Sequence, residues 1–284
     1  MITILKLISS MAATIISNCF SNSASKKSLK TQGDIFRFNT IMYIAALVMF
    51  VALAIGKASS LYTILMGLVF GLLTIITSIF RFRALATGPM HITILVTTCQ
   101  MIIPTLSGVI MFGEPFSMGK FIAMLFLIFF VYLSLDKTKS GKVSADWAIS
   151  CAICFFASGF IGVMQKIHQA SVHKEEVEAF LAVAFACSFL FALISTKRST
   201  CEAKFGVKEY IFAIVCGICA FIMNVFNLEL SGVLPSQLFF PLANGVPLVL
   251  SSVIAIVVFK EKINWVQGIG LFGGIISLIV LAIA

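Results

Sequence analysis

Ten apolar stretches follow one another along these 284 residues with little between them, and that succession constrains the fold more than any motif does. A bilayer core about 30 Å thick is crossed by about 20 residues of helix, because lipid offers no hydrogen bonds and the backbone must satisfy its own. Bounded by charge, Gly and Pro, the spans fall near residues 2–21, 36–55, 60–82, 90–112 and 117–135, then 147–169, 178–196, 208–230, 236–259 and 264–284. Only 11% of residues are charged, against roughly a quarter in soluble domains. The expected class is an all-α membrane protein with ten transmembrane helices, a multi-pass integral protein of the cell (plasma) membrane.

The first apolar run, followed by small residues at Ser21 to Ser25, has the outline of a secretory signal. Lys6 interrupts it and the second half has a counterpart segment, so the expectation is a mature first span. A net charge of +9 raises the question of nucleic acid, but Lys and Arg are distributed between apolar runs rather than gathered on one tail. That pattern is loop charge, and no nucleic-acid partner is expected. Of the eight cysteines, Cys201 alone lies in a polar loop, so no disulfide framework is implied. Cys151 with Cys154 and Cys216 with Cys219 form CxxC pairs, but both lie inside apolar spans and at a separation unlike a zinc finger's. No metal and no cofactor are expected.

The chain repeats itself weakly. Glu114 and Glu261 each follow one long span and precede the next, 147 residues apart, and Pro89 and Pro235 open the preceding spans at a separation of 146. Asn18 pairs with Gln165 and Thr97 with Asn244, again 147 apart. The expected organisation is a first five-helix repeat at 1–135, a polar linker at 136–146 containing Lys137, Lys139 and Lys142, and a second five-helix repeat at 147–284. Five is odd, so the second half enters the membrane from the opposite side and the repeat is inverted, an arrangement that favours alternating access.

Loops after odd-numbered spans hold fifteen of the twenty basic residues; Lys6, Lys57, Lys120, Lys166 and Lys174 fall on the other side. The positive-inside rule then puts odd-numbered loops in the cytoplasm and both termini outside.

Arg83-Ala-Leu-Ala-Thr-Gly-Pro89, a long fourth span with Pro104, and Gly113-Glu114 recur in the second half as Pro235 to Gly245, Lys260-Glu261 and Gly268 to Gly274. This pattern resembles the EamA-type permeases of the drug/metabolite transporter superfamily, over essentially the whole chain. The resemblance implies a secondary transporter or exporter with a central site between the halves, and it names no substrate. Members usually keep both termini in the cytoplasm, opposite to the charge count, and both orientations stay open.

Polar side chains inside spans are costly and each invites a functional reading. Lys166, beside Gln165 late in the sixth span, either attracts an anionic group or snorkels to the interface. Asn224 and Asn227 share a face of the eighth span and serve helix packing or substrate contact. Glu229 is the acid placed to couple proton movement, or an ordinary helix-end charge. In the fourth span Thr97, Thr98 and Gln100 precede Pro104, and in the ninth Gln237, Asn244 and Gly245 precede Pro247. Proline frees carbonyls that only protein or a cavity can satisfy, so paired Pro-interrupted spans point to a transport site or to plain kinks. The candidate substrate contacts are thus Asn18, Thr97, Gln100, Gln165, Lys166, Asn224, Asn227 and Asn244, with Glu229 for coupling and no catalytic residue. Glu114 and Glu261 read as carboxylates favouring helix N-termini. Gly67 with Gly71 and Gly270 with Gly274 fit close helix approach, within the chain or in a homodimer.

An enzyme acting on a lipid-linked substrate would need clustered acids, His or a nucleophile at a membrane face, and His91, His168 and His173 have no matching acidic cluster within spans. The expectation is a permease or exporter moving a small metabolite or drug-like solute, with the bilayer as its other partner. A non-transporting structural or regulatory membrane protein is the alternative.

Overall fold

The computed structural model describes residues 1–27, 29, 31–135, 144–257 and 264–283, and these form helices and loops without a strand among them. In chain order the helices are α1 (Ile2–Lys27), α2 (Gln32–Ala54), α3 (Leu61–Thr87), α4 (Met90–Cys99), α5 (Ile102–Phe112), α6 (Met118–Ser134), α7 (Ala145–Ala170), α8 (Val177–Arg198), α9 (Val207–Val233), α10 (Ser236–Val257) and α11 (Trp265–Ile283). Among the described residues nine stretches are long and apolar enough to cross a membrane, with α4 and α5 together making one of them, Ile92–Phe112. The remaining expected span, 117–135, is the 17-residue helix α6, at the lower limit of about 17 residues for crossing the hydrocarbon core. Large apolar side chains such as Leu53, Phe126, Phe129, Phe272 and Ile279 are exposed, as lipid-facing positions require. The chain is a multi-pass helical membrane protein.

Local chemistry explains where the helices begin and break. Thr31 and Asp34 form a reciprocal capping box at the start of α2, with the Asp34 N–H donating to Thr31 Oγ1 at 3.2 Å and the Thr31 N–H donating to Asp34 Oδ2 at 3.0 Å. Asn264 and Gln267 do the same for α11. Gly113 ends α5 at φ 64°, a left-handed cap that a Cβ would strain. The break between α4 and α5 falls at Gln100 and Met101, one turn before Pro104, where the proline ring crowds the Gln100 carbonyl. That carbonyl instead accepts the Ile103 N–H at 3.1 Å. The ninth span behaves differently: α10 runs unbroken through Pro241 and Pro247.

The chain divides into two compact units, Met1–Ile75 with His168–Leu230, and Ile76–Ile167 with Ser231–Ala284. Each draws on both sequence halves, since likeness between segments and packing between them are separate properties. Most of the expected linker, 136–143, lies outside the described residues, as does Glu261.

In the first unit α2 packs along α8. The two run antiparallel: Thr31 contacts Thr200, Phe36 meets Phe191, and Tyr43 meets Phe185. Phe50 closes this seam, its ring 4.9 Å from both Phe185 and Phe221. Helices in lipid gain little from hydrophobic burial and associate through close packing, for which glycine clears the way. A Cβ at Gly67 would stand 2.7 Å from the Phe180 carbonyl oxygen, and one at Gly71 2.9 Å from that of Ala184, so α3 lies backbone to backbone on α8. Gly217 brings α9 onto α2 in the same way, 2.6 Å from the Met42 carbonyl oxygen.

In the second unit α6 packs along α11. A Cβ at Gly270 would stand 2.7 Å from the Phe130 carbonyl oxygen, and Gly273 faces the Phe130 ring. The close approach on α11 therefore uses Gly270 and Gly273, while Gly274 meets only a Val249 methyl at 3.2 Å. Both CxxC pairs are buried in packed helices, and all eight cysteines are free thiols.

Candidate functional site

The polar residues singled out in the sequence divide between the two units. In the first, α1 presents Lys6, Ser10 and Thr14 at four-residue spacing, one stripe of a helix. This stripe meets α9: Lys6 Nζ lies 2.6 Å from Glu229 Oε2, the Ser10 hydroxyl donates to Asn227 Oδ1 at 2.5 Å, and the Thr14 hydroxyl approaches Met223 Sδ at 3.6 Å. Asn224, three residues from Asn227, does not join this seam through its amide nitrogen, which donates to the Ala220 carbonyl of its own helix at 2.8 Å. Asn18 lies further along α1, half-buried and engaged in an interaction of its own.

At one end of the same unit, the carboxylate of Glu176 gathers donors from the loop before α3. The Ser60 N–H donates to Oε2 at 2.8 Å and the Ser60 hydroxyl at 2.9 Å. His173, three residues before Glu176, places Nδ1 2.8 Å from Oε1 and stacks its ring on Tyr62. The Ser60 backbone donor, with the hydroxyls of Thr63 and Ser60 and with His173, outweighs desolvation and holds the Glu176 carboxyl down to about 2. Lys57 adds an ion pair with Glu178 at 2.7 Å.

In the second unit, Gln165 and Lys166 are buried late in α7, each less than 9% exposed. Lys166 Nζ pairs with Glu114 Oε1 and lies 3.5 Å from the Leu234 carbonyl oxygen, with the Phe112 ring centroid 5.8 Å away. The other Glu114 oxygen, Oε2, accepts the Ser236 N–H at 2.6 Å, one of the free donors at the start of α10. Glu114 therefore acts as a helix-terminal carboxylate, but it caps α10, distant in sequence, rather than the adjacent α6, whose cap is Ser117. Gln237 holds the two segments in register, accepting the Ser117 N–H at 2.8 Å. The hydroxyls of Ser236 and Thr105 are buried without a hydrogen-bond partner among the described residues.

Thr97 Oγ1 donates to the Ile94 carbonyl at 2.9 Å, within its own helix. Gln100 marks the break before α5, and the exposed Asn244 donates to the Phe240 carbonyl of α10 at 2.8 Å. The sequence pointed to Lys166 and to Glu114 separately. Their pairing joins segments 52 residues apart and no spacing rule announces it.

No family model matches this chain, and neither does any curated protein. Twenty-eight chains of solved structures do resemble it. One, described only as the crystal structure of a protein, aligns over 98% of both chains at 15% identity with a TM-score of 0.76. At that identity the likeness establishes the fold, shared along the full length of both chains.

Proposed function

We propose that this chain is a permease that moves a small metabolite or drug-like solute across the cell membrane by alternating access, as an EamA-type member of the drug/metabolite transporter superfamily. The observation that carries the reading is the way counterpart helices meet. In a two-by-five repeat α2 corresponds to α8 and α6 to α11, and each of these pairs packs along an extended seam. An inverted repeat relates counterparts by a two-fold axis in the membrane plane, which makes adjoining counterparts antiparallel, and α2 and α8 are antiparallel. Gly71 and Gly217 stand 146 residues apart, the repeat separation, and each seats its helix on the backbone of a second helix from the other half. Charged and amide side chains within apolar helices, and a span interrupted before Pro104, add the features expected of a solute path.

A thermal-shift screen of detergent-purified protein against metabolites and cationic drugs tests this reading, since a ligand stabilises the native state by mass action. A reproducible shift from one chemical class supports it. A non-transporting structural or regulatory protein would show neither a shift nor solute flux.

A further inference from the structure

We infer that the cradle now closed on Glu114 is a binding site for a small organic carboxylate, with Glu114 as its built-in competitor. The inference deepens the permease reading and rests on it for the claim that the bound carboxylate is cargo. Three groups converge on the Glu114 carboxylate: the Lys166 ammonium, 7% exposed, the Ser236 N–H at the start of a 22-residue helix, and the positive end of that helix's dipole. A buried lysine with one acidic partner and a helix N-terminus turned on the same carboxylate is the chemistry of an anion site.

The second observation is the Ser236 hydroxyl. It is fully buried, has no hydrogen-bond partner among the described residues, and crowds the same point beside Gly108 as Glu114 Oε2. A donor of that kind is unused while Glu114 holds the cradle and becomes useful to a ligand oxygen seated differently. Gly108 contributes by lacking a Cβ, which would collide with both Ser236 and Glu114. Glu114 follows Gly113, whose left-handed backbone ends α5, so its side chain is carried by a turn rather than by a helix interior. A solute carboxylate entering the cradle takes the Lys166 and Ser236 contacts, and Glu114 leaves for water as a solvated anion. No proton or covalent bond has to change hands.

The test measures thermal unfolding of the detergent-purified full chain against sodium salts of mono- and dicarboxylates, with sodium chloride and the matching neutral amides as controls. Wild type, Glu114→Gln and the double variant Glu114→Gln/Lys166→Met are compared. An occupied site lowers apparent affinity by the fraction of time it is free, so Glu114→Gln should bind carboxylate about tenfold more tightly or better. The double variant should lose the response. A carboxylate-specific shift absent from wild type and Glu114→Gln alike, or one that persists undiminished in the double variant, overturns the inference. Should Glu114→Gln fail to give monodisperse protein, Glu114→Asp serves, its shorter arm loosening the internal contact; equal affinity in Glu114→Asp and wild type overturns the inference. Proteoliposome flux separates the two readings. Flux of neutral or cationic solutes with no carboxylate-specific shift in wild type or Glu114→Gln overturns the carboxylate site and leaves the permease standing. Carboxylate binding with no flux of any solute overturns the permease and leaves the site.

Discussion

Lys6 and Glu229 are 223 residues apart in the chain and 2.6 Å apart in space, at the end of a polar seam that continues through Ser10 with Asn227 and Thr14 with Met223. Residues near the start of α1 thus fasten it, antiparallel, along α9. About a third of each charged side chain is exposed, so the pair is far less desolvated than Lys166 with Glu114. It belongs with interhelical polar contacts of modest strength.

A double-mutant cycle on Lys6→Met and Glu229→Gln should return a coupling of about 1 kcal/mol, measured by denaturation in mixed micelles. If Glu229 also couples proton movement, Glu229→Gln will flatten the pH dependence of solute flux while leaving solute binding in place. An unchanged flux profile would make the seam purely structural.

Breaking the Lys166–Glu114 pair is expected to cost more. Lys166→Met leaves Glu114 facing the start of α10, and Glu114→Ala leaves a buried ammonium; each should lose about 3–5 kcal/mol of stability. The double variant Lys166→Met/Glu114→Gln should recover much of that loss, because no buried charge then stands unpaired. Additive losses in the double variant would contradict the geometry.

Gly71 and Gly217 carry a sharper prediction, because each would place a Cβ within 3 Å of a carbonyl oxygen on the facing helix. Gly71→Ala and Gly217→Ala should each destabilise by about 1–3 kcal/mol, as overpacking forces the backbones apart. Similar costs are expected at the two positions, which stand 146 residues apart and make the same kind of backbone approach. Gly206, whose Cβ would approach only the Glu209 carboxylate at 3.2 Å, is the control, with a smaller effect.

The spans were legible in the sequence to within a few residues at most ends, because apolar length is dictated by bilayer thickness and the breaks are written in Pro, Gly and charge. The capping role of a carboxylate at Glu114 was also legible. Its target was not: a carboxylate after one span can serve any helix end that the fold brings near, and only packing brings Ser236 there. Asn224 and Asn227 illustrate the same limit. Equal spacing puts them on one face, yet one amide bonds back to Ala220 and the other reaches Ser10, a choice set by the side chain opposite. The prolines misled in α10, where paired prolines suggested an interrupted helix and the helix is continuous.

Glu176 gives a pH prediction whose sign follows from its low value. Its folded carboxyl titrates near 2 against an ordinary 4.5, so its contribution is complete above about 4.5 and is lost as pH falls toward 2. The Glu176 side chain keeps 19% of its surface exposed and its partner His173 33%, so the effect is partly screened by salt. Comparing unfolding of wild type and Glu176→Gln from pH 7 to 2 should show the two curves converging at the acid end. Curves that stay parallel throughout would rule out the Ser60 contact as a stabilising link.

Orientation can be read from one thiol. Cys201 is exposed in the loop after α8, while the other seven cysteines are buried or partly so. On the charge count that loop is cytoplasmic. A membrane-impermeant maleimide should therefore leave Cys201 unlabelled in intact cells and label it in inverted vesicles; the reverse pattern would put the termini in the cytoplasm.

The most direct test of the central claim is flux. Proteoliposomes loaded with a mixed metabolite pool, diluted into solute-free buffer and sampled by mass spectrometry, report which solutes leave through the protein. A permease releases one or a few related solutes faster than protein-free vesicles do, and this account predicts that carboxylates are among them and that Lys166→Met slows their release. Equal release from both kinds of vesicle, with the protein folded and monodisperse, would contradict it.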